Sequence, residues 1–264
     1  MSESSSKNTT QNNLKDAKDR PVALRVRDVH KTFGDKQVHK GVSFDLLEGE
    51  ILGLFGGSGT GKSVVLRSII GLENPDSGEI LFEGQDLTQL SERELFPVRT
   101  HISYVFQNGA LFDSLSVEDN LAYPLHAHTK MTEAEIHNRV NEVLEMVDMK
   151  NSNQLLPSEL SGGMQKRAGF GRAIILQPKV VLFDEPTAGL DPVNTGRLLK
   201  NILEFKKRGM TGIFVTHDIP AAFEICDRVA ILKDGKIALI MTVDEMKNSN
   251  DPLVKSFTTG AHIE

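Results

Sequence analysis

The chain has 264 residues and a formal net charge of −6, with 39% hydrophobic and 25% charged residues, which is ordinary for a globular protein. This length suits one large domain or one core with an inserted subdomain. No apolar run approaches the roughly 20 residues of a membrane-spanning helix, and no signal-peptide core stands at the N-terminus. The acidic balance speaks against a broad nucleic-acid-binding surface. Cys226 is the single cysteine, so an internal disulfide is excluded and a reducing, cytoplasmic setting is expected.

Residues 1–20 are rich in Ser, Asn, Thr, Lys and Asp and cannot bury enough apolar surface to offset ordering entropy, so a flexible tail is expected there. From Val22 the residues alternate: Leu24, Val26 and Val29 against Arg25, Arg27 and Asp28, and again in Val42–Leu46. Alternation punctuated by Gly34-Asp35 and Glu48-Gly49-Glu50 predicts an antiparallel β-region leading into an α/β core.

The buried-strand pattern Ile51–Phe55 runs into Gly56-Gly57-Ser58-Gly59-Thr60-Gly61-Lys62-Ser63, and a helical pattern follows. This is G-x-x-x-x-G-K-[ST] in the strand–loop–helix context that a phosphate-binding loop requires. Its glycines let successive N–H groups turn toward phosphate oxygens, and the helix N-terminus adds its positive end. Lys62 is expected to reach the β- and γ-phosphates of a nucleoside triphosphate, and the Ser63 hydroxyl to ligate Mg²⁺.

Beyond this loop, Val64–Leu72 reads as a helix, and Glu79–Phe82 with the piece after Gly84 reads as a hairpin. Helical character is expected from Ser91 to about Leu160. Ser91 with Glu94 and Thr132 with Glu135 fit capping boxes, and Ile136, Val140, Val143, Leu144 and Val147 share one helical face. The expected division is a core over residues 21–245, a helical subdomain inserted at about 91–163, and a C-terminal tail from 246 to 264. The α/β rhythm resumes with a strand at Lys179–Asp184, a helix at Pro192–Lys207, the strand Gly212–Thr216 and a helix near Pro220–Cys226. Asp234-Gly235 then turns a hairpin.

Val180–Asp184 ends in the carboxylates Asp184 and Glu185, at the strand end where open α/β sheets bind ligands. Asp184 is suited to hold Mg²⁺, often through water, and Glu185 to polarise an attacking water. Four further pieces accompany them in order: Gln107 after Ser103–Phe106, Leu160-Ser161-Gly162-Gly163-Met164-Gln165, Ala188-Gly189-Leu190-Asp191 and Thr216-His217-Asp218. Together these resemble the Q-loop, signature, D-loop and switch-histidine loop of the ATP-binding cassette (ABC) ATPases, over about residues 22–243.

The resemblance implies a P-loop NTPase (RecA-like) core with an antiparallel β subdomain, ATP and Mg²⁺ as cofactors, and a head-to-tail homodimer. Ser161, Gly162, Gly163 and Asp191 of one copy would face nucleotide held by Gly56, Gly57, Ser58, Gly59, Thr60, Gly61, Lys62, Ser63 and Val64 of the other. Phe33 stands where the family stacks an aromatic on adenine. Ser63, Gln107 and Asp184 would serve the metal, with Glu185 as base and His217 holding the γ-phosphate. Two positions depart from the common pattern. Met164 replaces a frequent Gln and cannot donate its hydrogen bonds, and Val64 stands where a hydroxyl is frequent.

The stretch Phe106–Leu125, FQNGALFDSLSVEDNLAYPL, is similar to that of the ATPases in lipid-asymmetry (Mla-type) transporters of Gram-negative bacteria. That similarity implies phospholipid movement between inner and outer membranes, with the ATPase peripheral on the cytoplasmic face of the inner membrane. The implied partners are a permease docked in the groove beside Gln107 and the helical subdomain, an MCE-domain lipid-binding subunit and a STAS-domain accessory subunit. An importer ATPase for another small solute and a non-transport ABC ATPase are the alternatives. Leu253, Val254 and Phe257 form a small apolar cluster in the polar C-terminal stretch, where either a frayed tail or packing on a partner subunit is expected.

Overall fold

The computed structural model describes residues 20–258. Of the tail expected over residues 1–20, all but the last residue lies outside them, as do residues 259–264.

The first two strands, Val22–Phe33 (β1) and Lys36–Leu47 (β2), form the antiparallel pair their alternation predicts, with Leu24, Val26, Phe44 and Leu46 buried. Ile51–Phe55 (β3) leaves this sheet, while Ser77–Phe82 (β4) and Gln85–Asp86 (β5) return to it, giving the order β2-β1-β4-β5. The second sheet adds Ile102–Val105 (β6), Val180–Asp184 (β7), Thr211–Val215 (β8), Arg228–Lys233 (β9) and Lys236–Thr242 (β10) to β3, in the order β10-β9-β3-β8-β7-β6. Neighbours are parallel except in the β9–β10 hairpin.

Strict alternation along the central strands divides the core in two. Leu52, Leu54, Leu182, Ile213 and Val215 face the antiparallel sheet and the helix Lys62–Ile69 (α1). Ile51, Phe55, Val181, Phe183 and Phe214 face the other way, onto the remaining large helices. A side-chain period of two and burial on both faces account for the uninterrupted apolar runs of β3, β7 and β8.

The helices after α1 are Glu92–Val98 (α2), Val117–His128 (α3), Glu133–Met146 (α4), Gly162–Ile174 (α5), Pro192–Lys207 (α6), Ile219–Ile225 (α7), Val243–Lys247 (α8) and Pro252–Thr258 (α9). Both capping boxes form, at Ser91–Glu94 and Thr132–Glu135. The helical face of α4 is buried through Ile136, Val140, Val143 and Leu144.

Two expectations are corrected. The helical run from Ser91 is interrupted by β6, an edge strand of the central sheet with Ile102 and Val105 buried. Four residues are too few for periodicity to separate a strand from a helix. Nor does the apolar C-terminal cluster await a partner. Val254 on α9 is 0% exposed within the chain's own larger core, and Leu253 and Phe257 pack beside it. Val254→Ala is therefore expected to lower unfolding stability by about 1–3 kcal/mol in a denaturant titration. An unchanged midpoint would mean that α9 detaches in solution.

Candidate active site

The loops that carry the sequence motifs leave the C-terminal ends of four adjacent parallel strands, β3, β8, β7 and β6. Sheet order thus gathers residues separated by more than half the chain. Gly56–Gly61 follows β3, Gln107 follows β6, Asp184-Glu185 closes β7 and His217 follows β8.

The phosphate loop is tightly determined. Gly61 has φ +97°, and a Cβ there would stand 2.5 Å from Val38 Cγ1 and 2.6 Å from His39 Nε2, so only glycine fits. His39, buried on β2, places Nε2 3.1 Å from the Gly61 carbonyl oxygen. Burial pulls its pKa below the ordinary value, the Gly61 bond opposing in part, which keeps the imidazole neutral. Lys62 is only 5% exposed and donates to the Gly56 and Gly57 carbonyls at 2.9 and 3.0 Å. Burial draws its pKa down, while Glu185 and Asp184 draw it up. The ammonium is the group here that attracts an anion, whereas the two carboxylates repel one and favour a cation beside them.

Ser63 Oγ donates to Asp184 Oδ1 at 2.8 Å, which leaves both hydroxyl lone pairs free. Hydroxyl and carboxylate are oxygen donors of the kind a hard divalent cation takes, and Gln107 is exposed in the loop after β6. Glu185, with φ +49°, sends Oε1 to 2.9 Å from His217 Nε2, and that same nitrogen lies 3.5 Å from Lys62 Nζ. The left-handed conformation turns the Glu185 carboxylate out of the β7 direction and across toward the β8 loop. A carboxylate held at a histidine above a phosphate loop can accept a proton from water.

The structure separates the remaining candidates from this cluster. Ser161 and Gly162 are exposed at the N-terminus of α5, where Ser161 Oγ accepts from the Met164 amide at 3.3 Å. The cavity of about 460 Å³ beside the phosphate loop is lined by Gly56, Thr60, His217, Asp234 and Phe257 among others, and not by Ser161, Gly162 or Gly163. Asp191 caps α6, accepting from the Asn194 amide at 2.9 Å. Gly163 lies against Asn194, where a Cβ would approach to 2.6 Å. Lys166 donates to the Ala188 carbonyl, tying α5 to the Asp191 loop. Ser58 and Gly59 are exposed, whereas the Val64 side chain is buried on α1 and the Met164 side chain packs on the larger core. Phe33, 43% exposed, has Lys31 Nζ 5.1 Å from its ring centroid, so it is a surface aromatic and not a core one.

Two further residues shape the site. Tyr104 on β6 donates its hydroxyl to Asp184 Oδ2 at 2.7 Å. It stands opposite Leu182 in the parallel register, and Asp184 two residues on shares that face. Knowing β6 as a strand, a period of two would have found it. Asn120, fully buried on α3, bonds the Phe112 amide and the Phe112, Leu115 and Ser116 carbonyls, folding the stretch after Gln107 around itself. Only its position within Phe106–Leu125 pointed to it.

Fold and site together define an ATP-binding cassette ATPase. Residues 39–188 match the family model described as ABC transporter, and the chain belongs to that family. It is 41% identical over 236 residues to the intermembrane phospholipid transport system ATP-binding protein MlaF of Escherichia coli K12, covering 89% of this chain and 88% of that protein. It is also 40% identical over 243 residues to the probable ribonucleotide transport ATP-binding protein mkl of Mycobacterium leprae, covering 92% of this chain and 70% of that one. Among solved structures it is similar to the ATP-binding cassette MJ0796 in a dimeric post-hydrolysis state bound to ADP and Pi, with TM-score 0.77, 30% identity, and 83% and 98% of the two chains covered. A second similar structure is cbiO1 of Clostridium perfringens, with TM-score 0.79, 30% identity, and 89% and 94% covered. The chain is thus an ATPase that binds ATP, and cassettes of this family dimerise. No helix among the described residues is long and apolar enough to cross a membrane.

Proposed function

We propose that this chain powers a membrane transporter that moves phospholipids between the inner and outer membranes of a Gram-negative bacterium. The observation that carries this reading is the near end-to-end similarity to the E. coli phospholipid transport ATPase, at matching length on both chains. In the reaction, a water oxygen bonds to the γ-phosphorus while the bond to the β–γ bridging oxygen breaks, and Glu185 accepts the water's proton. His217 holds the γ-phosphate, and Lys62 with the amides of Gly57–Ser63 neutralises the spreading charge. Mg²⁺, held by Ser63, Gln107 and Asp184, would add further charge neutralisation when bound.

The nucleotide base stacks on Phe33. Ser161, Gly162, Gly163 and Asp191 serve the nucleotide of a second copy, as the resemblance to the cassette family implies; they lie at the start of α5 and just before α6. Glycine at 162, with open space where a Cβ would stand, leaves the α5 N-terminus bare for a phosphate. The permease docks in the cavity of about 300 Å³ lined by Tyr104, Phe106, Tyr123 and His128, where the exposed Phe106 and Tyr123 rings suit a short amphipathic segment. The MCE-domain and STAS-domain subunits complete the complex on the inner membrane, with this chain on the cytoplasmic side.

A tagged pull-down from detergent-solubilised membranes tests the reading. A multi-spanning permease, an MCE-domain protein and bound phospholipid are the expected recovery. A permease accompanied by a solute-binding protein and no lipid would instead make this an importer ATPase for another small solute.

A further inference from the structure

We propose that Tyr104 is a positioning residue that orients the Asp184 carboxylate and ties it to the aromatic groove beside the Q-loop. The inference rests on reading Asp184 as the metal-side carboxylate. Asp184 carries two bonds, one per oxygen: Ser63 Oγ on Oδ1 at 2.8 Å and Tyr104 OH on Oδ2 at 2.7 Å. The first comes from the phosphate loop and the second from β6, so the carboxylate plane is fixed from both sides.

The other end of this side chain faces a different surface. The Tyr104 ring lies 4.3 Å from the Phe106 ring, centroid to centroid, and both line the cavity of about 300 Å³ with Tyr123. Phe106 precedes Gln107 directly and is exposed. A segment seated in this groove therefore presses on a ring whose hydroxyl holds Asp184. This connection runs through β6 and is separate from the Gln107 amide.

Outer groups that orient a metal's carboxylate typically change metal affinity by ten- to a hundredfold. The test titrates Mn²⁺, as a spin-active probe in place of Mg²⁺, into ATP-loaded Glu185→Gln protein and reads bound metal by paramagnetic resonance. Adding Tyr104→Phe is expected to weaken Mn²⁺ binding about tenfold, with metal-free ATP binding and the thermal midpoint little changed. The ring is kept and Asp184 retains Ser63, so the variant is expected to fold. An unchanged Mn²⁺ affinity would overturn the proposal. Asp184→Asn is the control: if it too leaves Mn²⁺ binding unchanged, the reading of Asp184 fails, whereas weakening by Asp184→Asn alone leaves only Tyr104 misassigned. Phe106→Leu removes the ring tilted against Tyr104 and keeps the hydroxyl. A smaller weakening, about threefold, is expected, and none would overturn the link to the groove.

Discussion

Glu185→Gln is expected to bind ATP as the native chain does and to hydrolyse it about 10²–10⁴-fold more slowly, the usual contribution of a positioned general base. The amide keeps the size and the reach to His217, now 2.9 Å from Glu185 Oε1, but cannot take a proton from water. No hydrogen bond of Lys62 or Ser63 runs to it: Lys62 is held by the Gly56 and Gly57 carbonyls, and Ser63 by Asp184. Losing the charge removes one of the two carboxylates that sustain the Lys62 ammonium, and the arriving phosphates replace it. Single-turnover hydrolysis beside equilibrium nucleotide binding separates the two effects. Near-native turnover in this variant would remove Glu185 as the base.

Lys62→Ala is expected to abolish tight ATP binding. The ammonium is buried and already desolvated, so its bonds to phosphate oxygens form without the full cost of stripping water from it. Charge-assisted bonds are worth about 1.5–3 kcal/mol each, and loss of two lowers affinity by roughly a hundredfold or more. The same substitution leaves the Gly56 carbonyl without its donor and Asp184 and Glu185 without their cation, so some loss of stability without nucleotide is expected, and the readout is the shift ATP adds to each protein's own midpoint. Thermal unfolding distinguishes these outcomes: ATP should raise the midpoint of the native chain and leave that of Lys62→Ala unmoved. An equal ATP-induced rise in both would show that the phosphate site lies elsewhere.

Much of this was legible from residue order because the determinants are local. Gly61 must be glycine for its own φ, the capping boxes at Ser91 and Thr132 act within four residues, and Asp234-Gly235 turns its own hairpin. What escaped depends on pairing across the sheet. Residues 102–105 read as part of a helical run until β7 supplies a neighbour, and Tyr104 acquires its partner only through that register. The same holds for His39, whose contact with Gly61 spans two sheets, and for Val254, whose place in the sequence suggested either a frayed tail or a partner surface and not burial in its own core. That Asp191 serves as the cap of α6 likewise emerges only from the assembled fold.

The most direct measurement is phospholipid transfer by the purified transporter complex in vesicles, followed with a fluorescent lipid and run with ATP, without ATP, and with Glu185→Gln in place of the native chain. ATP-dependent lipid movement that disappears in Glu185→Gln is the expected result. Sustained ATP hydrolysis with no lipid movement, under conditions where the complex is intact, would contradict phospholipid transport while leaving the ATPase site as described.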